Sequence, residues 1–231
     1  MLLQVETMNA AADAAAMAQE SAKELSLIDM CISGGWIMLV LGALLVLAIY
    51  IFVERLIVFS KASKEDANFM NRIKDYIHDG RIDAAVKLCR DTDAPSARMI
   101  EKGISRLGRP MSDVLVAIEN VGNIEIAKLE KGLSFMATIA GGGPMIGFLG
   151  TVIGMVQAFF NMEQAGGNTI NLSMLSGGIY TAMVTTVAGL IVGVCAFFAY
   201  NFLVTKLDAV MRKLEMRSME FLDLLNEPAA N

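Results

Sequence analysis

Gly34-Gly-Trp-Ile-Met-Leu-Val-Leu-Gly-Ala-Leu-Leu-Val-Leu-Ala-Ile-Tyr50 lies inside a run of 24 residues, 30–53, that contains no ionised side chain. Two further uncharged runs follow, the 31 residues of 132–162 and the 42 residues of 164–205. A helix of about 20 residues, rising roughly 1.5 Å per residue, crosses the hydrocarbon core of a bilayer. The sequence therefore predicts an all-α membrane protein with three transmembrane helices. The predicted spans are 31–54, 132–160 and 174–205.

The composition supports a membrane protein and excludes several other classes. Hydrophobic residues make up 55% of the 231 residues, charged residues make up 19%, and the mean hydropathy is +0.54. A net charge of −5 and a pI near 5.0 are unlike those of a nucleic-acid-binding protein, which needs a basic surface. Cys31, Cys89 and Cys195 are far apart and form no CxxC pair, so neither a disulfide framework nor a metal site is predicted. The sequence predicts no cofactor.

The distribution of basic residues predicts the orientation in the membrane. The head, residues 1–30, has one Lys or Arg, and the loop 161–173 has none. The segment 55–131 has 14 and the tail 206–231 has four, which together make 18 of the 19. Lys and Arg accumulate on the cytoplasmic side, so the N-terminus and the loop are predicted to face outward and the C-terminus inward. A cleaved signal peptide is the alternative for the first span, but its apolar run is too long and its flank is acidic.

The segments predicted to lie in the cytoplasm are helical. Turn signals at Asp79-Gly80, at 93–95 and at 107–110 divide the segment 55–131 into short helices. After Ser112 the apolar residues keep a helical period into the second span, which predicts one continuous helix from about 112 to 160. That helix and the third span are thus both predicted to extend far into the cytoplasm.

Two amphipathic stretches leave alternatives open. In the tail, apolar residues from Leu207 to Leu225 repeat at intervals of three and four. This stripe is buried either in a bundle within one chain or in an interface between subunits. The Ala-rich stretch 7–27 of the head is either an amphipathic helix on the outer membrane surface or a disordered segment.

Small residues and hydroxyls recur at helical spacing in the second and third spans. Thr151 lies one turn from Gly147 and from Gly154, and Gly150 forms a GxxxG pair with Gly154 that favours close helix packing. In the third span the small residues are Gly177, Thr181, Thr185, Gly189 and Gly193, with Thr186 beside this row. In one interpretation the hydroxyls bond backbone carbonyls inside packed helices. In the other they line a narrow path or a surface for another helix.

Apart from Glu54, at the inner end of the first span, the three predicted spans contain no residue that ionises at neutral pH. Intramembrane ionisable groups are what proton relays require, so a proton path through this protein needs an acid from a partner. Glu54 and Arg55 are interpreted as an interfacial charge pair whose long side chains reach water. The lone histidine, His78, is interpreted as an ordinary exposed side chain, and no nucleophile-base pair is available. The protein is therefore not predicted to be an enzyme.

Two motifs resemble those of a known family. Gly147-Phe-Leu-Gly-Thr-Val-Ile-Gly154 is similar to the second-span signature of the ExbB/TolQ/MotA proton-channel proteins. Gly178-Ile-Tyr-Thr-Ala-Met-Val-Thr-Thr-Val-Ala-Gly-Leu190 is similar to their third-span signature. Glu54-Arg55, the predicted topology and the large loop between the first two spans also match. Three spans make the chain more similar to ExbB or TolQ than to MotA.

The resemblance implies a homo-pentamer in the bacterial inner membrane around a dimer of a single-span ExbD- or TolR-like protein, whose membrane aspartate carries the proton. It places Thr151 and Thr186 on the pore beside that aspartate, with Thr181 and Thr185 in the same wall. Many members of the family have a glutamate at the position of Thr181. Its absence implies either that this glutamate is dispensable or that proton entry here depends more on water and hydroxyls.

The expected function is that of a subunit of a proton-driven motor that energises outer-membrane transport through a TonB-like protein. A TolQ-like role in the Tol-Pal envelope system is the alternative within the family. From a different class, the chain is a membrane scaffold whose glycine and threonine faces pack partner helices without conducting. A small-solute transporter is not supported, because neither inverted repeats nor broken half-helices are evident.

Overall fold

The protein is described by a computed structural model that covers residues 34–64, 66, 68–164 and 172–226. Seven α-helices occupy these ranges, and the described residues form no strand. The helices are α1 (Gly35–Ser63), α2 (Phe69–His78), α3 (Ile82–Asp91), α4 (Pro95–Ile104), α5 (Met111–Glu130), α6 (Leu133–Gln164) and α7 (Leu172–Asn226). The amphipathic stretch 7–27 of the head lies outside the described residues.

Three of the described stretches are long and apolar enough to cross a membrane. They are Gly35–Ser63, Met111–Gln164 and Leu175–Asn226, and each contains a window of high mean hydropathy with few charges. This finding confirms the prediction of an all-α membrane protein with three spans. Large apolar side chains such as Leu39, Met145 and Phe198 are 76%, 73% and 69% exposed, as expected where lipid or another subunit replaces water.

The prediction of one continuous helix from about 112 to 160 is wrong at Lys131-Gly132. Helix α5 ends at Glu130 and α6 begins at Leu133. Lys131 has a ψ of 126°, and Gly132 has a φ of +94°, a conformation that favours glycine. The Met136 N–H donates to the Gly132 carbonyl at 3.2 Å, which starts the next helix at once. The apolar period continues across these two residues, so the sequence pattern did not indicate the break.

The turn signals of the segment between the first two spans lie at helix ends, as predicted. Gly80 and Gly108 have φ values of +69° and +85° and stand after α2 and α4. Pro95 begins α4, where its missing N–H leaves no hydrogen bond unmade. These breaks give three helices of 10 residues each, short enough to fold back on one another.

The chain divides into two compact units. The described residues of the small unit are 34–39, 147–164 and 172–188. The large unit comprises Val40–Ile146 and Gly189–Asn231, of which residues 65, 67 and 227–231 are not described.

The amphipathic stripe of the tail is buried within the large unit. Phe221 and Leu214 of α7 are 0% and 3% exposed. A Cβ built on Gly103 of α4 would stand 2.6 Å from the Phe221 ring and 2.9 Å from Ile118 of α5, so these three helices pack closely here. In the structure this stripe is buried in a bundle within one chain, which is the first of the two alternatives.

A buried carboxylate joins α4 to α5. The Glu125 side chain is 5% exposed and accepts hydrogen bonds from Arg98 Nη2 at 2.8 Å and from Lys128 Nζ at 2.7 Å. Arg98 also donates to Asp93 at 3.0 Å. Burial opposes the charge of Glu125, but the hydrogen bonds and positive charges of Arg98 and Lys128 outweigh it and lower the pKa of this carboxyl.

The substitution Glu125→Gln tests this network. The folded-state pKa of Glu125 lies below its ordinary value of 4.5, so the carboxylate stabilises the fold above that pH and the stabilisation is lost as the pH falls through the folded-state pKa. We expect E125Q to lower the free energy of unfolding at pH 7 by about 1–3 kcal/mol. The difference in Tm from the unsubstituted protein should shrink below about pH 4.5.

The measurement is thermal unfolding of the detergent-purified protein between pH 3.5 and pH 7.5, a range of about four units around the ordinary carboxyl pKa. Glu119→Gln is the matched control, because Glu119 is exposed on the same helix. A difference in Tm that is the same at every pH would contradict the role of the charge.

Candidate functional site

Three threonine side chains lie together between α6 and α7 in the small unit. We call Thr151, Thr185 and Thr186 the threonine cluster. The Thr151 and Thr186 hydroxyls are in direct contact and form a short hydrogen bond in which either oxygen can donate. Thr185 is 1% exposed and donates to the Ala182 carbonyl at 2.8 Å. Thr151 and Thr186 are only half-buried, so part of each side chain remains open to contact with another molecule.

Glycines permit the approach of the two helices that forms this cluster. A Cβ built on Gly150 would stand 2.5 Å from Thr185 Oγ1, which is closer than atoms tolerate. A Cβ on Gly154 would stand 3.0 Å from the Ala182 Cβ, and one on Gly178 would run into Ala158. The GxxxG pair and the small residues opposite it therefore determine how close the hydroxyls lie.

The hydroxyls of Thr151 and Thr186 have more acceptors within reach than they have hydrogens. Thr151 Oγ1 lies 3.4 Å from the Gly147 carbonyl and 3.3 Å from the Ala182 carbonyl, and Thr186 Oγ1 lies 3.3 Å from the Gly147 carbonyl. Each hydroxyl has one hydrogen. Either Thr151 donates to Thr186 and Thr186 to Gly147, or Thr186 donates to Thr151 and Thr151 to a carbonyl. The pair can thus reverse its direction by rotation of the two hydroxyl groups.

The other small residues predicted from the sequence lie elsewhere. Thr181 is half-buried, and within the described part of the chain no hydrogen bond joins its hydroxyl to another residue. Gly177 is exposed, and a Cβ there would meet nothing within 4 Å. Gly189 and Gly193 belong to the large unit, where a Cβ on Gly193 would stand 2.5 Å from Pro144. Neither of these two glycines is part of the threonine cluster.

An uncovered face of α6 extends from Thr151. It is lined by Val152, Met155, Val156, Phe159 and Phe160 and reaches Glu163. The side chains of Val156, Phe159 and Phe160 are 63%, 52% and 56% exposed. A continuous apolar face of this kind, with a hydroxyl at one end, suits another transmembrane helix better than water.

Arg55 in the large unit is buried, which differs from the expectation that its side chain reaches water. Its side chain is 9% exposed, and its guanidinium donates to both carboxylate oxygens of Glu54, at 2.8 and 3.1 Å. Nη1 also donates to the carbonyls of Lys128 and Leu129 at 3.3 and 3.4 Å. The helix break at Gly132 deprives these carbonyls of the N–H groups four residues further on. Arg55 therefore caps the end of α5, a role that no sequence signal indicated before the break was known.

The comparisons with known proteins agree with the two motifs. The model of the MotA/TolQ/ExbB proton channel family matches residues 91–216, a range that contains the threonine cluster. The chain is 26% identical over 169 residues to the putative biopolymer transport protein ExbB-like 3 of Synechocystis sp., which covers 73% of this chain and 80% of that protein.

Two further relatives have different names. The biopolymer transport protein ExbB of Neisseria gonorrhoeae is 29% identical over 186 residues, covering 71% of this chain and 82% of that protein. The Tol-Pal system protein TolQ of Haemophilus influenzae is 34% identical over 137 residues, covering 59% of this chain and 54% of that protein.

The substitution Arg55→Lys tests the cap on α5. Lysine keeps the charge but lacks the planar fork that reaches Glu54 and the two carbonyls together. We expect R55K to lower the free energy of unfolding by about 1–3 kcal/mol, because it leaves buried carbonyls without a donor. Arg81→Lys is the control, since Arg81 is exposed. Thermal unfolding in detergent measures both variants, and an R55K protein as stable as the unsubstituted chain would disprove the cap.

Proposed function

The chain belongs to the MotA/TolQ/ExbB proton channel family, and on that basis we propose that it is the channel-forming subunit of an ExbB-ExbD-type motor. In this proposal the complex uses the proton motive force across the bacterial inner membrane to energise TonB-dependent transport through the outer membrane. The observation that carries the proposal is the reversible hydroxyl pair of Thr151 and Thr186, of which Thr151 lies at the end of an uncovered apolar face.

The acid on the proton path comes from a partner. Between Lys131 and Lys206 the sequence has one residue that is charged at neutral pH, Glu163, and it lies in the last turn of α6. A proton path through the bilayer requires a group that binds and releases protons inside it. A dimer of a single-span, ExbD- or TolR-like protein, enclosed by a homo-pentamer of this chain, supplies a membrane aspartate beside the threonine cluster. The uncovered face of α6 is the surface that such a helix would cover.

In this proposal the hydroxyl pair of Thr151 and Thr186 stabilises that aspartate in both of its protonation states. A carboxylate in a low-dielectric site is costly unless it accepts hydrogen bonds, so a hydroxyl that donates to it lowers the cost of the charged state. When the carboxyl gains a proton, it becomes the donor, and the hydroxyl must accept. The Thr151 and Thr186 pair can make this change by reversing its direction, because the Gly147 and Ala182 carbonyls accept the hydrogen that is displaced. Both protonation states are thereby stabilised within one geometry.

At Thr181 the proposed proton path has a hydroxyl group in place of a carboxyl group. With threonine at the position where many family members have a glutamate, the partner's aspartate is the sole carboxylate on the path in the proposed complex. Proton transfer to and from it then proceeds through hydroxyls and water. Hydroxyls transmit hydrogen bonds but do not hold a charge at neutral pH.

A TolQ-like role in the Tol-Pal system is the second candidate. The match to the Haemophilus influenzae TolQ protein has the higher identity, 34%, but covers only 59% of this chain. The matches to ExbB-named proteins of Neisseria gonorrhoeae and Synechocystis sp. cover 71% and 73%. The broader coverage supports the ExbB-type role. Both roles use the same proton path, so the threonine cluster has the same task in either.

The substitutions Thr151→Val and Thr186→Val separate a proton channel from a scaffold that conducts nothing. Valine keeps the shape of threonine and removes the hydroxyl, so helix packing is retained while the reversible pair is lost. We expect either variant to lower the proton flux of the reconstituted complex by about tenfold or more, as is typical when one positioned proton-transfer group is removed. The measurement is the pH change inside proteoliposomes after a potential is applied.

Thr138→Val is the matched control. Its hydroxyl is exposed and donates to the Ser134 carbonyl of the same helix, away from the threonine cluster. Native mass spectrometry verifies that each variant still assembles with its partner. If T151V and T186V complexes assemble and support transport as well as the T138V complex does, the chain is a scaffold and the proposed channel is wrong.

A further inference from the structure

A basic groove lies between α1 and α7 within the large unit, away from the threonine cluster in sequence. Its polar lining consists of Ser60, Ser63, Lys64 and Lys206, and its apolar lining includes Leu56 and Phe59. The two helices contact each other beside it, where the Phe52 and Phe202 rings stand 6.1 Å apart. The groove begins where the uncharged runs of the first and third spans end.

Within the described residues, the two ammonium groups of the groove have no carboxylate partner. Among the described residues, neither Lys64 nor Lys206 has a carboxylate within ion-pair distance. The Lys206 ammonium instead lies 5.5 Å from the centre of the Phe202 ring. Asp208 is two residues from Lys206 on α7 and therefore points to another side of that helix. The groove is thus positively charged, with two ammonium groups available to an anion.

The partial negative charge at the C-terminal end of α1 does not cancel the positive charge of the groove. The last carbonyls of a helix bear a partial negative charge that would repel an anion. Here the Ser63 carbonyl accepts a hydrogen bond from Lys213 Nζ of α7 at 2.9 Å. A third ammonium group thus offsets the end of the helix and leaves the charges of Lys64 and Lys206 for a ligand.

The order of side chains along the groove matches the order of groups in a phospholipid. Leu56 and Phe59 come first along α1, next to the span, and the hydroxyls of Ser60 and Ser63 and the ammonium of Lys64 follow. A lipid molecule has its acyl chains, its ester and glycerol oxygens and its phosphate in the same sequence. The tally of Lys and Arg predicts that this end of the spans faces the cytoplasm. Basic grooves between transmembrane helices on that side are suited to anionic headgroups.

We propose that the groove formed by Lys64, Lys206, Ser60 and Ser63 binds the headgroup of an anionic phospholipid of the cytoplasmic leaflet. The two ammonium groups bind the phosphate, the two hydroxyls donate to its oxygens or to the glycerol, and the acyl chains lie along Leu56. Such a lipid joins α1 to α7 at their exit from the membrane. The inference is independent of proton conduction, because it involves no residue of the threonine cluster.

Native mass spectrometry of the detergent-purified full-length protein tests this site. The probe is phosphatidylglycerol, with zwitterionic phosphatidylcholine as the reference lipid. The unsubstituted protein should retain phosphatidylglycerol in preference to phosphatidylcholine. The double variant Lys64→Gln and Lys206→Gln should lower that preference by about tenfold or more, since each basic residue near an anionic lipid contributes a several-fold change in binding. The charge-preserving variant Lys64→Arg and Lys206→Arg should retain the preference and excludes misfolding as the cause.

The matched control removes two positive charges from the same helices outside the groove. Lys61 of α1 and Arg212 of α7 are exposed, and neither lines the groove. The variant Lys61→Gln and Arg212→Gln should keep the preference for phosphatidylglycerol. If both double variants lose the preference for phosphatidylglycerol equally, the attraction is unspecific and the proposal is wrong. The proposal is also wrong if the Lys64→Gln and Lys206→Gln variant keeps the full preference. A separate experiment adds inorganic phosphate to the protein. If the protein binds inorganic phosphate and shows no preference between the two lipids, the groove is a site for free phosphate instead.

Discussion

The close approach of α6 to α7 is the constraint on which the candidate site depends. It is possible only because Gly150 and Gly154 present no side chain to Thr185 and Ala182. The same approach brings Thr151 into contact with Thr186 and brings backbone carbonyls of both helices within reach. Packing and chemistry are therefore not alternatives at this site. The residues that pack the helices also place the hydroxyls where a reversible hydrogen-bonded pair can form.

The second constraint is electrostatic. A long run without ionised groups makes the spans stable in lipid, but it also leaves the chain without a proton carrier of its own. A hydroxyl pair can stabilise both the ionised and the protonated form of a carboxyl group. In the proposed complex, the carboxyl group itself comes from a second protein. In that complex, a transmembrane helix of that protein covers the uncovered apolar face beside Thr151.

The sequence predicted the features that depend on composition and spacing. Uncharged runs located the three spans, and the GxxxG spacing identified the packing face of α6. It did not predict the break at Gly132, because one glycine within an apolar helical period is equally compatible with an unbroken helix. The cap formed by Arg55 was missed for the same reason, since the carbonyls it binds are free only where the helix breaks. The acceptor role of the Ala182 carbonyl has no sequence signal, because every residue has a carbonyl.

The decisive measurement is proton flux into proteoliposomes that contain either this chain alone or this chain with a single-span ExbD- or TolR-like partner. We expect no flux above empty liposomes for the chain alone, because its hydroxyls hold no charge. We expect flux for the complex, and loss of that flux when the partner's membrane aspartate is replaced by asparagine. Equal flux by the chain alone, or by a complex without that aspartate, would show that the proton path does not depend on a partner's acid.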